Sequence, residues 1–302
     1  MNGYMQTDYI SCTLCPRNCR VDRRTHKGYC GMGDTVRVAR AALHFWEEPC
    51  ISGESGSGTV FFSGCQLGCV FCQNRGISHG GDGLDITSGR LADIFSELEE
   101  KGANNINLVS ATQFVPDVIK ALEIARKRGM TLPIVYNSGG YESIETLKML
   151  DGYIDIYLPD FKYMSEQNAR KYSKAVDYPK FAKEAIAEMY SQVGKNVFKN
   201  GIMVSGMIVR HLVLPGETED SKRVIKYLHD TYGQNIWLSI MNQYTPSDGL
   251  FGELSRKLSE EEYEEILDCA ENRGVENAFI QEGETADESF IPSFNYEGVL
   301  KK

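Results

Sequence analysis

The 302-residue chain is 42% hydrophobic and 25% charged, an ordinary globular balance with room for one large domain or two small ones. Its net charge of −10 makes a surface that repels phosphate backbones, which disfavours general nucleic-acid binding. No apolar run approaches the roughly eighteen residues of a membrane span, and the start MNGYMQTDYIS lacks the charged-then-apolar order of a signal peptide, so a soluble, cytoplasmic protein is expected.

Residues 1–58 precede any regular beat, and 1–50 read as a Cys-rich metal-binding module with ISGESGSGT as a flexible connector. Cys12, Cys15, Cys19 and Cys30 follow a C-x2-C-x3-C-x10-C spacing with Pro16 after the second Cys. Four ligands this close form a closed site, either zinc or a second, fully ligated iron–sulfur cluster, with reduced structural thiols as the remaining reading. His26 and Cys50 are spare ligand candidates. Arg17, Arg20, Arg23, Arg24, Lys27, Arg37 and Arg40 stand here against only Asp22 and Asp34, cations that would offset the charge of metal-bound thiolates. Eight of the nine cysteines lie before residue 73, and clustered Cys without a signal peptide point to metal rather than disulfides. Cys269, alone in the helical pattern EEEYEEILDCAENRG, reads as packing.

From residue 59 the chain alternates short apolar runs with amphipathic stretches. The runs are TVFFS (59–63), NINLVS (105–110), LPIVYN (132–137), YIDIYLP (153–159), MIVRHLVLP (207–215) and IWLSIMN (236–242). Helices are predicted over 88–101, 115–129, 142–150, 180–193, 218–231 and 259–273, started by Thr87 or Ser88, by Ser143, and by Ser259 with Glu262. Gly102, Gly129 and Gly274 fit helix ends. Six strand–helix units in series predict an α/β fold. A full eight-unit barrel needs about 250 residues, so a partial (β/α)6 TIM-like barrel over 51–280 is expected, with a doubly wound open sheet as the competing topology. The C-terminal tail, 281–302, has no helical period and would either wrap over the barrel mouth or pack outside.

The first strand runs into GCQLGCVFCQN, which places Cys65, Cys69 and Cys72 at C-x3-C-x2-C spacing. In a parallel α/β fold this is where chemistry is expected, at the C-terminal end of a strand. Structural zinc normally wants four protein ligands, and disulfides fit an odd Cys number poorly. A [4Fe–4S] cluster held by three Cys leaves one iron for an outside ligand.

This loop resembles the radical S-adenosylmethionine (SAM) superfamily, and the likeness covers almost the whole chain. It is closest to the subgroup called pyruvate formate-lyase activating enzyme-like, among members with an N-terminal C-x2-C-P-x2-C module. Further landmarks are the segment Trp46 to Pro49, YNSGGYE (136–142), DIYLPDFKY (155–163), IVRHLVLPG (208–216) and MNQYTP (241–246). The resemblance implies that SAM chelates the fourth iron. A reduced cluster then cleaves SAM to a 5′-deoxyadenosyl radical that abstracts hydrogen from a substrate. No catalytic residue beyond the cluster is implied, and no triad or G-x-S-x-G elbow is present.

Carried over position by position, the resemblance puts Phe71 and Gln73 near the adenine. Where the family has a glycine-rich GGE turn for the SAM amino group, this chain has Ser110, Ala111, Thr112 and Gln113, so Ser110, Thr112 and Gln113 take that place. Asn137 and Ser138 stand where related enzymes carry Asp-Thr-Asn-Gly. Asp160 and Lys162 match a D-x-K motif, and Arg210 and Leu212 match an Arg near SAM and an apolar adenine contact. Arg210 inside an apolar strand must be paired or face a polar cavity, whereas His211 reads as a satisfied core residue. Met241, Gln243 and Tyr244 are placed on the substrate side. The subgroup label points to activation of a glycyl radical enzyme, hence a protein substrate. Alternatives are radical modification of a small molecule, another peptide or RNA, and a non-catalytic metal-binding adaptor. The chemistry implies a flavodoxin- or ferredoxin-type electron donor.

Overall fold

In a computed structural model, which describes residues 9–79, 81–247, 249–281 and 292–301, the chain opens with irregular loops and then β1 (Val36–His44). A single turn, α1 (Pro49–Ser52), leads to β2 (Ser57–Phe62), α2 (Arg75–Ser78) and β3 (Leu84–Ile86). There follow α3 (Ser88–Glu100), β4 (Ile106–Val109), α4 (Val115–Lys127), β5 (Ile134–Ser138), α5 (Ile144–Met149) and β6 (Ile156–Pro159). Then come α6 (Glu166–Ser173), α7 (Tyr178–Val193), β7 (Val197–Lys199), β8 (Ile202–Leu212), α8 (Thr218–Tyr232), β9 (Trp237–Met241), α9 (Glu260–Asn272) and β10 (Ala278–Ile280).

All six apolar runs are strands, and β2, β4, β5, β6, β8 and β9 lie side by side, parallel, in chain order. The fold is α/β, with a partial, open parallel sheet of the TIM-like kind. The sheet order ends on β10 at one side and β3 at the other, and β7 hairpins onto β8. β2, β5 and β6 are buried along their whole length, as strands covered on both faces must be. Helices cover the outside through apolar stripes: Leu91, Ile94, Phe95 and Leu98 of α3 repeat at helical spacing. Thr87 and Ser143 cap α3 and α5, and Ser259 with Glu262 forms a capping box on α9. Gly102, Gly129 and Gly274 follow helices with positive φ, as expected. Among the described residues no helix is long and apolar enough to cross a membrane.

The period-two alternation of strands divides the barrel interior into two layers. Cys50 and Ile51 of α1 pack against Val135, Ile156, Leu158, Met203 and Ile208, an apolar floor. One pleat further along the same strands stand Asn137, Asp160, Arg210 and Leu212, which line a cavity at the C-terminal ends. Cys50 is thus part of the floor, away from the N-terminal Cys set.

Seven elements are absent from the predicted beat, the short α1, α2 and β7 among them. β1 and β3 extend the sheet with antiparallel pairing on β2 and on β1, β10 adds a seventh parallel strand beside β9, and α6 precedes α7. Of the C-terminal tail, residues 282–291 lie outside the described residues. Gln281 and Pro292 both line the cavity, while Tyr296 and Glu297 hydrogen-bond to Ala39 and Ala41 of β1. The described tail therefore both reaches the cavity and packs outside.

Gly140, after β5, tests how tightly the strand ends are held. Its φ is +74°, and a Cβ there would stand 2.1 Å from the Asp160 carbonyl oxygen, whereas one at Gly102 (φ +84°) would meet nothing within 4 Å. Gly102→Ala should cost only the left-handed backbone penalty, about 1–2 kcal/mol. Gly140→Ala should add an overpacking penalty of about 1–3 kcal/mol, read as a lower urea midpoint than that of Gly102→Ala. Equal midpoints would contradict the packing described.

Candidate active site

β2 delivers the loop of Cys65, Cys69 and Cys72 to the cavity mouth. Gly64 and Gly68 turn that loop with φ of 82° and 61°, a conformation that side chains resist. All three cysteines line a cavity of about 490 Å³, within the range of small-molecule and cofactor sites. Each sulfur has a polar neighbour. The Leu67 N–H donates to Cys65 Sγ at 3.4 Å, the Ser78 hydroxyl to Cys72 Sγ at 3.3 Å, and Ser173 Oγ lies 2.9 Å from Cys69 Sγ. Burial and the charge of Cys69 push the Cys65 thiol up to about 12.

Opposite the thiols lies a charged network. Asp160 accepts from Arg210 Nε at 2.9 Å and from Lys162 Nζ at 2.5 Å, while Arg210 Nη2 donates to Asn137 Oδ1 at 2.7 Å. Burial would raise Asp160, but the two cations overcome it and hold the carboxyl below its ordinary value. Arg210 also meets Glu47 Oε2 at 3.3 Å, and Glu47 Oε1 accepts from Asn107 at 3.0 Å. Burial raises both Glu47 and the adjacent Glu48, with Arg210 working against it. This is the pairing that an arginine inside an apolar strand requires.

Glu47 was not picked out from the sequence. The requirement that Arg210 find a buried partner pointed to some acid, and the Trp46–Pro49 segment holds two. Nothing in its pattern tied that segment to the barrel interior.

Most of the residues carried over by resemblance share this cavity: Phe71, Gln73, Ser110, Asn137, Ser138, Asp160, Lys162, Arg210 and Leu212 line it, as do Met241 and Gln243. Ser110 holds φ at 58°, a left-handed turn made without the family's glycine, and Gln113 Nε2 supports its carbonyl at 2.8 Å. Thr112 and Gln113 do not line the cavity. The short helical turn Thr112–Phe114 directs them inward, where Thr112 donates to Glu142 and Gln113 holds the Ser63 and Gly64 carbonyls. Tyr244 also lies behind the wall, with its hydroxyl on the Leu254 carbonyl and its ring edge-on to Phe71. His211 is a core residue whose Nδ1 lies 2.7 Å from the Phe161 carbonyl oxygen.

The N-terminal cysteines sit on tight loops closed by Arg20 N–H to Cys12 O, Asn18 N–H to Cys15 O and Gly28 N–H to Met32 O. A methyl group at Gly28 would stand 3.4 Å from Cys30 Sγ and 3.7 Å from Cys19 Sγ, so these two thiols converge. His26 is turned to Thr25 on the surface. Among the described residues no three His, Cys, Asp or Glu side chains converge closely enough to hold a single metal ion. A polynuclear cluster, which spreads its thiolates over several irons, makes no such demand on Cys65, Cys69 and Cys72.

Residues 59–228, from β2 into α8, match the profile of the radical SAM superfamily. The chain belongs to that family. Membership implies an enzyme of the radical SAM type, with a [4Fe–4S] cluster and SAM as cofactors. This radical SAM protein is 26% identical over 280 residues to the uncharacterized protein MJ0674 of Methanocaldococcus jannaschii, covering 89% of this chain and 76% of that one. Solved structures of similar shape include native anSMEcpe with bound AdoMet, at 13% identity and TM-score 0.49 over 70% of this chain. The structure of HydG, a maturase of the [FeFe]-hydrogenase, gives 14% and 0.49 over 72% of this chain. The chain spans 57% of the first and 49% of the second.

Glu142 ties the walls of the radical SAM cavity together from behind. It accepts from Thr112 at 2.9 Å and from Gln66 and Tyr136 at 3.3 Å each. Burial lifts it from 4.5 to about 7, with the Thr112, Ser138 and Tyr136 hydrogen bonds working the other way. A raised carboxyl contributes stability that is full below its unfolded pKa and lost as pH rises through the folded one. Metal-free protein should therefore lose stability between about pH 5 and pH 8, on the order of 3 kcal/mol of it through this group. Glu142→Gln should flatten that loss in urea unfolding at the two pH values, and parallel curves for variant and parent would contradict it.

Proposed function

We propose that Cys65, Cys69 and Cys72 hold a [4Fe–4S] cluster with one iron open to SAM, and that the enzyme abstracts hydrogen from a protein substrate in the manner of glycyl-radical activating enzymes. The observation that carries this is the meeting of three thiols with the Asp160–Lys162–Arg210–Asn137 network across one cavity at the strand ends. The donor set fits the group, since the Cys65 and Cys72 thiols are held above their ordinary range and need a strongly cationic partner, and each of the three has a hydrogen-bond donor or hydroxyl beside it. When bound and reduced, the cluster supplies an electron that cleaves SAM to a 5′-deoxyadenosyl radical, the hydrogen-abstracting species.

The protein's own residues bind, orient and enclose. Lys162 and Arg210 offer cations to the SAM carboxylate, and both are locked by Asp160, so neither must reorganise on binding. Ser110, Asn137 and Ser138 offer acceptors to the SAM ammonium. Phe71 and Leu212 offer apolar faces to the adenine, and Phe71 is fixed edge-on by Tyr163, Tyr172 and Tyr244. Gln73 Nε2 donates to the Gln243 carbonyl at 2.8 Å, which ties the cluster loop to the end of β9 and narrows the entrance. A flavodoxin- or ferredoxin-type protein would supply the electron.

The subgroup landmarks, from Trp46–Pro49 through MNQYTP, support glycyl-radical activation. Radical modification of a small molecule, another peptide or RNA is the alternative. Of the two readings of the N-terminal cysteines, a second cluster is the one proposed, since no three described ligand side chains converge on a single ion; the division into 1–50, 51–280 and 281–302 is proposed with β1 and α1 lent to the barrel.

Protein reconstituted without oxygen should form 5′-deoxyadenosine from SAM and dithionite, and Cys69→Ala should abolish it. Full cluster loading with no product would defeat the enzyme reading. A stable protein-borne radical on adding a candidate partner supports glycyl-radical activation, whereas small-molecule turnover without it supports the alternative.

A further inference from the structure

Two arginines of the N-terminal module grip the two flanks of Cys65. Arg17, between Cys15 and Cys19, donates through Nε to the Gln66 carbonyl at 2.8 Å, immediately after Cys65. Its other two nitrogens donate to Lys174 O at 2.6 Å and Ser173 O at 2.9 Å, and the Ser173 hydroxyl lies against Cys69 Sγ. The guanidinium is sandwiched near the rings of Tyr29 (4.1 Å) and Tyr141 (5.3 Å). One planar fork thus joins the module, the Cys65 flank and the segment touching Cys69, a geometry that an ammonium cannot copy.

Arg23, between Cys19 and Cys30, works on the other flank. It donates to the Gln113 carbonyl at 2.6 Å, and the Gln113 amide holds Ser63 O at 2.8 Å and Gly64 O at 3.2 Å, immediately before Cys65. The module also touches this flank directly, since a Cβ on Gly64 would stand 2.7 Å from the Cys30 carbonyl oxygen. Arg23 is 1% exposed, and its hydrogen bonds run to carbonyls and to Cys12 Sγ at 3.8 Å, with no carboxylate among them. A buried guanidinium needs an anionic partner to offset its desolvation. Metal-bound thiolates at the module would supply that charge.

We propose that the four-cysteine module is a brace for the catalytic loop, in which Arg17 and Arg23 transmit occupancy of the Cys12, Cys15, Cys19 and Cys30 site to the two sides of Cys65. The brace rests on the reading of Cys65, Cys69 and Cys72 as a cluster site and of the module as a metal site. Arg17 and Arg23 are positioning residues. Their effect falls on how the cluster is held and on its redox behaviour, because outer hydrogen bonds tune both.

The test compares the parent with Arg17→Lys, Arg17→Gln and the module variant Cys19→Ser/Cys30→Ser, each reconstituted anaerobically with iron and sulfide. The readouts are the EPR line shape and midpoint potential of the Cys65 centre without SAM. The spectrum of Cys65→Ala/Cys69→Ala/Cys72→Ala protein is subtracted to remove any N-terminal cluster. The brace predicts that Arg17→Gln and the module variant shift potential and line shape in the same direction. Both should also shed iron to a chelator about tenfold faster than the parent, with Arg17→Lys in between. Parent-like potential and line shape in the module variant overturn the brace, whatever the arginine variants do. Should Arg17→Gln fail to fold, Arg17→Lys and the module variant decide alone. A parent protein that takes up no reducible cluster at Cys65 overturns the cluster reading and the brace together, whereas a fully loaded parent with an indifferent module variant overturns the brace alone.

Discussion

Three thiols are crowded into one short loop, and two of them are held back from ionising. Burial and neighbouring sulfur push Cys65 up to about 12 and raise Cys72 as well. Against that burial the protein sets serine hydroxyls beside Cys69 and Cys72, the Leu67 and Gly68 N–H groups beside Cys65, the Asn74 N–H beside Cys72 and the nearby charge of Lys162, and for Cys65 and Cys72 burial still wins. The rest of the architecture can be read as meeting that constraint. The loop is placed at the C-terminal end of β2, where a parallel sheet leaves room for a cofactor, and it is turned by glycines because backbone must come close.

The barrel interior adds an electrostatic constraint. Arg210, Lys162, Asp160, Glu47 and Glu48 put more acid than base inside the barrel, and burial resolves part of the excess by raising the two glutamates. Such a network is a poor way to stabilise a core, since desolvation opposes each ion pair. It is a good way to hold polar groups fixed in a site of low dielectric, where fixed charges act most strongly on a bound ligand. The apolar floor one pleat below carries the stability instead, with α1 closing it from beneath.

Much of this was legible from residues alone. The six strands followed from the apolar beat, which left their order open between a partial barrel and a doubly wound sheet, and the cysteine loop announced the site by spacing. Asp160, Lys162, Arg210 and Asn137 were placed by likeness to a family and do share one cavity. What escaped notice lacked a period. β1 reads VRVARAALH, whose alanines and arginines hide a strand that pairs with β2 along most of its length. β10 is three residues long. Glu47 and Arg17 act through contacts 163 and 156–157 residues away in sequence, which no local pattern encodes. Thr112 and Gln113 stand behind the cavity wall, because a likeness in position says nothing of a helical turn that points side chains inward.

The central claim is that the ligand set Cys65, Cys69 and Cys72 is one short by design and that SAM completes it. The most direct measurement is electron–nuclear double resonance on the reduced, reconstituted protein with SAM labelled at its amino nitrogen. Hyperfine coupling between that nitrogen and the cluster, lost in Cys69→Ala, is the predicted result. A fully loaded, reduced cluster that shows no coupling to labelled SAM would contradict it.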